Sequence, residues 1–348
     1  MTRAPKTVEV ADPFGVRADS SMPSLALALD PVLAREEFKR GLARLSGDDG
    51  RVSVRAIRVT RHKPGKRCVI EYDLKVRRRG LPDETLTVLG KIRANRFGNE
   101  AYRLQDVIWS AGFQSDSADG VSVPEPLGVI PTFQMWVQRK VPGVVSGRLL
   151  AGAGGAALAH RVAEALHKLH RAGVPTGRVH VMADELRILQ ECLTGVAGSR
   201  PHLAERVSRV RLACDELGAS APPPQPCGIH RDFYPAQVVV DGTRVHLIDF
   251  DLYCLGDPAL DAGNFIGHMT EESLRTLGHA DALRDREQAL EERFAELAGE
   301  RTRAAVRTYT TLTLARHIYL STRFPERTPF TERLLALCEE RLGCRGRR

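Results

Sequence analysis

The stretch His230-Arg231-Asp232-Phe233-Tyr234-Pro235-Ala236-Gln237, continued by Val-Val-Val-Asp-Gly and then by Ile248-Asp249-Phe250-Asp251, constrains the fold more than any other part of the chain. Apolar residues lead into a Gly-containing turn at Asp241-Gly242, and a second apolar run leads out of it, the pattern of a tight β-hairpin. A hairpin folds its two ends back together, so Asp232, Gln237 and Asp249 are expected to converge on one small volume. Two acids closing on one hairpin mouth are too costly electrostatically to belong to an ordinary core. Phosphoryl transfer needs such a set. One carboxylate orients and deprotonates a hydroxyl, and further oxygen ligands hold Mg²⁺ on nucleotide phosphates.

At 348 residues the chain has room for one bilobal domain or for two domains. Its formal net charge of +8 is unevenly spread: residues 1–150 hold 25 Lys and Arg against 17 Asp and Glu, while the rest is balanced at 26 of each. A basic first part suits either a nucleic-acid surface or a lobe that handles phosphates. Aromatic residues make up only 5% and do not interleave with the cations, which argues against a base-stacking platform, so no nucleic-acid partner is expected. Seven cysteines without a C-x-x-C pair suggest reduced thiols. The opening MTRAPKTVEVADPFG has no apolar signal region, and no apolar run approaches the roughly 18 residues of a membrane span. The expectation is a soluble cytoplasmic protein with no membrane partner.

Residues 1–30 show little periodicity and read as a loose N-terminal arm. Pro31–Leu45 has one apolar helical face. Strand-like alternation then runs through Arg51–Thr60, Cys68–Val76 and Thr85–Ile92, with Lys63-Pro64-Gly65-Lys66 turning between the first two. A helix over Asn99–Ala111 and a strand over Phe133–Val141 follow. Beyond residue 150 the pattern is helical, with the hairpin set into it, and the longest helix is expected near residues 301–323. Strands with one helix first and helices later imply an α+β fold. The expected division is an arm over 1–30, a nucleotide-binding lobe over 31–141 and a helical catalytic and substrate lobe over 142–348.

The order of these features, with H230-R-D-F-Y-P-A-Q-V-V-V-D, L-I-D-F-D and L255-G-D-P-A-L-D-A-G-N, resembles the aminoglycoside phosphotransferase family within the wider protein-kinase-like fold. The resemblance spans roughly residues 50–345 and is most distinct in the second half. It implies a bilobal fold with a small β-rich N-terminal lobe and a larger, mostly helical C-terminal lobe. It also implies ATP and Mg²⁺ as cofactors and a small-molecule hydroxyl as acceptor. Asp232 would be the catalytic base and Asp249 the metal-binding acid. Gln237 stands where most of the family has Asn as a second metal ligand. Its amide carbonyl can still reach a cation, and maltokinase-like members also carry Gln there. Lys91, on an apolar strand, would contact the nucleotide phosphates with Glu100 holding it from the helix. Gly65 and Lys66 would lie in the nucleotide-covering turn, and Arg139 and Val141 in the segment that meets adenine.

Asp257 and Asp261 read as architectural, Asp257 as a helix N-cap ahead of Pro258. His230 reads as a residue that packs under the loop. His167 and His170, at i and i+3 on one helix, lack an obvious third ligand and read as surface histidines. The implied activity is transfer of the γ-phosphate to a hydroxyl of a sugar, an antibiotic or other natural product, or an amino alcohol. The alternatives are a maltokinase-like sugar kinase, and a nucleotide-binding pseudokinase that serves as a scaffold.

Overall fold

Strand alternation in the first half is regular enough to build a sheet with one face completely covered. In the strand Arg67–Arg77 every second residue from Cys68 to Val76 is at most 1% exposed. The computed structural model describes residues 8–47, 50–94 and 99–344 and divides into two units, Met1–Pro142 and Gly143–Arg348.

The first unit is built on a six-stranded sheet, ordered Glu9–Ala11, Arg51–Lys63, Arg67–Arg77, Glu84–Arg93, Met135–Arg139, Pro126–Ile130. The first pair is parallel and the others are antiparallel. The helix Pro31–Gly41 lays Ala34 and Phe38 on the covered face, with the Phe38 ring edge-on to Tyr72 at 4.7 Å. Asp30 caps that helix, its carboxylate accepting from the backbone of Val32 and Leu33.

The expected loose arm is not loose from Val8 onward. Val16, Met22, Leu25, Ala28 and Leu29 are all at most 2% exposed and join the same core. Tyr72 donates its hydroxyl to the Ala28 carbonyl at 2.9 Å. These apolar residues are spread over a three-residue strand, a 3₁₀ turn and a five-residue helix, each too short to show a period. Residues 1–7 lie outside the described part.

The second unit is mostly helical. Its longest helix, Thr302–Arg323, packs against Pro258–Glu272. Gly263 and Gly267 permit an unusually close approach: a Cβ on Gly263 would sit 2.6 Å from Tyr309 Cβ, and one on Gly267 2.7 Å from Thr313 Cβ. Gly155–Arg171 packs against Arg284–Ala298, and Met182–Ser199 against Ala204–Ala219. Between helices lies the hairpin Val238–Asp241 with Arg244–Leu247, extended by Val144–Val145. Gly242, at φ 56°, opens the two-residue turn, one position later than the sequence suggested.

No described helix is long and apolar enough to cross a membrane. All seven cysteines are free thiols. Burial pushes Cys68, Cys227 and Cys338 up to about 12 and Cys254 to about 11.

Candidate active site

Hairpin register decides what meets what. Val238 pairs with Leu247, so the next residues outward are Gln237 and Ile248, and the Ile248 N–H donates to the Gln237 carbonyl at 3.0 Å. Asp249 follows directly and takes a left-handed backbone conformation, φ 67°. Arg231, beside Asp232, is also left-handed at φ 70°. Among non-glycine residues such conformations are uncommon and persist only where the surroundings enforce them.

The surroundings that enforce them are visible at Asp261. This carboxylate is fully buried and accepts from the backbone N–H of His230 at 2.8 Å and of Arg231 at 2.7 Å. Its Oδ2 also meets His170 Nε2 at 3.0 Å. His230, fully buried, donates from Nε2 to the Ile248 carbonyl at 2.9 Å and packs its ring on Phe233 and Phe250. It ties the loop to the far strand of the hairpin and is not oriented as a base. On the other side, Asn264 donates to the Phe233 carbonyl at 2.9 Å. Asn264 in turn accepts from Arg316 at 2.7 Å, and Arg316 reaches Glu185 at 3.3 Å.

Asp232 is thus held by a loop fixed on both flanks. Burial pushes its carboxyl above the usual range. His230 and Arg316 pull against that, Asp249 adds to it as a like charge, and Arg231 opposes; the net direction is upward. Asp249 has one carboxylate oxygen, Oδ1, buried without a hydrogen-bond partner among the described residues. A buried, unpartnered carboxylate oxygen is costly unless a cation or donor completes it. It fits a metal ligand.

The first unit carries the residues expected at the nucleotide. Lys91 holds its ammonium 4.8 Å from the centre of the Trp136 ring, a neighbour directly across the strand pair that sequence reading did not include. Glu100 is exposed in the first turn of the helix Glu100–Ser110, where a negative charge complements the helix end. Arg139 is engaged by two carboxylates, Glu84 at 2.7 Å and Glu125 at 2.8 Å, and Val141 is half-buried beyond the strand end.

The turn at Gly65 is tied to the N-terminal segment. Its backbone donors are already committed: the Gly65 N–H goes to the Asp19 carboxylate at 2.9 Å and the Lys66 N–H to the Lys63 carbonyl at 3.0 Å. Asp19 is gripped further by His62 at 2.9 Å. A carboxylate from the N-terminal segment therefore holds the Gly65 N–H. What the turn leaves exposed is the cationic Lys63 and Lys66.

A sequence model described as the phosphotransferase enzyme family (APH) matches residues 100–306, more than half of the chain. The chain belongs to that family. This phosphotransferase uses ATP as donor and a small-molecule hydroxyl as acceptor, as the family's enzymes do with Mg²⁺. The matched span includes Asp232, Gln237 and Asp249 but not Gly65, Lys66 or Lys91.

Solved structures with the same architecture agree. A thermostable mutant of the aminoglycoside phosphotransferase APH(4)-Ia, in ternary complex with AMP-PNP and hygromycin B, gives a TM-score of 0.57 at 14% identity, covering 89% of this chain and 98% of that one. A choline/ethanolamine kinase family protein from Mesorhizobium loti gives 0.51 at 16%, covering 92% and 93%. Spectinomycin phosphotransferase APH(9)-Ia with ADP and spectinomycin gives 0.54 at 8%, covering 90% and 98%. At these identities the likeness is one of fold: α+β, bilobal and kinase-like. No curated protein sequence matches the chain.

Sequence reasoning missed several residues of this phosphotransferase's loop frame. His170 is 8% exposed and bound to Asp261, not a surface histidine. The signal was present, because His170 lies four residues after Leu166 on the apolar face of its helix. Arg316, Glu185 and His180 had no such signal. Burial pushes the Glu185 carboxyl up, but the His180 hydrogen bond and the Arg316 charge outweigh it and leave Glu185 below its usual range. Tyr234 stacks on His268 at 4.7 Å, and His268 meets His317 edge-on at 4.4 Å. Burial, with the charges of Arg316, Arg327 and Arg275, brings His317 down to about 3, so it is neutral at physiological pH.

Proposed function

We propose that the chain phosphorylates a hydroxyl of a neutral or weakly charged small molecule, with Asp232 as the base and Asp249 and Gln237 as the residues that hold Mg²⁺. The observation that carries this reading is the pairing of Asp232, its carboxyl raised, with Asp249, whose buried Oδ1 has no partner. No cluster of three or more His, Cys, Asp or Glu among the described residues could hold a metal by itself. One carboxylate and one amide suit Mg²⁺, which keeps its waters and shares phosphate oxygens. Bound there, the ion would neutralise charge on the phosphates.

Asp232 accepts a hydrogen bond from the acceptor hydroxyl and takes its proton as the new P–O bond forms. Its raised basicity favours that transfer near neutral pH. Lys91, steadied over Trp136, supplies a cation for the phosphates, and Lys66 a second from the turn. Gly65 serves by letting the turn close on Asp19, and Arg139 and Val141 by shaping the strand end that meets the base. Glu100 supports the helix start from which it could reach Lys91.

The charges that act on Asp232 argue about the acceptor. Arg316 and Arg231 both lie close enough to pull its carboxyl down. Cations beside the base disfavour a polycationic acceptor and favour a neutral one. A panel of glucose, maltose, choline, ethanolamine, a macrolide and kanamycin, followed by ADP release, tests this. A neutral hydroxyl compound should have the highest kcat/KM. Kanamycin outranking every neutral acceptor would overturn the acceptor assignment, and no turnover without MgATP binding would overturn the kinase reading itself.

A further inference from the structure

The second unit has a partly open cavity of about 260 Å³ whose lining includes His170 and Asp257, two residues of the frame behind the Asp232 loop. That volume is near the lower end for small-molecule sites. None of the proposed catalytic or metal-holding residues lines it.

Its rim is basic. Arg171 and Arg301 both line it, are exposed, and have no side-chain hydrogen bond or ion pair among the described residues. Thr302, the first residue of the 22-residue helix Thr302–Arg323, also lines the cavity, its backbone N–H donating to the Gly299 carbonyl at 2.9 Å. Asp257 is the one lining acid, and its carboxylate accepts from the Ala259 N–H at 2.9 Å. Apolar lining comes from Pro223, Pro224 and Leu297. The two cations and several prolines in one lining suit an organic anion with an apolar body.

Three residues of this lining connect it to the loop. His170 holds Asp261, whose two oxygens hold the N–H groups of His230 and Arg231. Asp257 caps the helix Pro258–Glu272, which carries Asn264 to the Phe233 carbonyl. Ala305 lies on the helix that carries Arg316 to Asn264. Asp232 therefore sits on a strained backbone whose anchors on both flanks start at the cavity wall.

We propose that this cavity is a regulatory site for a small organic anion, a carboxylate or phosphate monoester with an apolar body, whose occupancy resets the loop that carries Asp232. None of the residues proposed to hold nucleotide or metal or to act as base lines it, so the binding test stands whether or not the catalytic assignment does. Phenyl phosphate and benzoate serve as probes, titrated calorimetrically into the full chain saturated with Mg²⁺ and a non-hydrolysable ATP analogue. One-to-one binding of at least one probe is expected. R171A/R301A should weaken it by about tenfold or more, from the loss of two charged hydrogen bonds, with the parent's melting temperature retained. No binding by either probe, or equal binding to the variant, overturns the site. Occupancy should also slow hydrogen exchange at His230 and Arg231 and change the rate of ATP hydrolysis. Binding that leaves both unaltered overturns the regulatory role.

Discussion

A carboxylate that must take a proton from an alcohol gains from being more basic than a free one, and burial makes Asp232 so. The same shift has a stability consequence. A folded-state pKa above the unfolded value means the protonated form folds better. The contribution is fully present below the unfolded pKa and is lost as pH rises through the folded one. At neutral pH the ionised Asp232 thus weighs against folding. D232N should reduce kcat by about 10²–10⁴ and yet raise the melting temperature at pH 7, with the gain vanishing on acidification. A D232N protein that melts lower than the parent at pH 7 would contradict the assignment. Arg316 acts in the opposite sense, since its charge lowers the Asp232 carboxyl. R316M should move the acid limb of the kcat/KM profile to higher pH and destabilise by about 1–3 kcal/mol by stripping partners from Asn264 and Glu185. An unmoved acid limb would show that Arg316 does not act on the base.

At the scale of elements, the helix pair Pro258–Glu272 and Thr302–Arg323 places Asn264 against Arg316, and it can do so only because Gly263 and Gly267 leave no side chain between them. G263A should cost about 1–3 kcal/mol by overpacking and lower kcat as Asn264 shifts from the Phe233 carbonyl. G198A is the control. A Cβ there meets nothing within 4 Å, and better helix propensity should stabilise by up to about 1 kcal/mol. Parallel denaturant melts should give the two variants opposite signs. Elements of this length and regularity were legible beforehand: the hairpin and four strands of the first sheet fell where alternation put them, while the five-residue strand Pro126–Ile130 was not anticipated. The three-residue strand Glu9–Ala11 and the five-residue helix Ser24–Ala28 were not, because a period cannot be seen in one turn. The Asp19–Gly65 bond was equally hidden, since it joins segments 46 positions apart.

Over the whole molecule, a sequence-local motif was readable and a frame assembled from distant helices was not. Asp232, Gln237 and Asp249 lie within eighteen residues of one another, whereas their supports His170, Glu185 and Arg316 come from three separate helices. The local motif also predicts how metal and fold relate. With no protein-only metal cluster among the described residues, chelation by EDTA should abolish turnover while leaving the melting temperature of the nucleotide-free chain unchanged. Mg²⁺ should stabilise only when a nucleotide is present to share it. A drop in melting temperature on adding EDTA to the free chain would mean the ion is structural.

Burial, full at four of the seven cysteines and partial at the other three, raises all seven thiols, and this has a practical outcome. A thiol held well above neutral pH contributes almost no thiolate, and thiolate is the form that alkylating reagents attack. Maleimide should therefore react slowly with the native chain. Two cysteines introduced at exposed positions away from the proposed site, such as Leu81 and Leu212, could be labelled selectively in the otherwise unaltered protein. One dye on each unit would then allow their separation to be followed by energy transfer as nucleotide and acceptor bind.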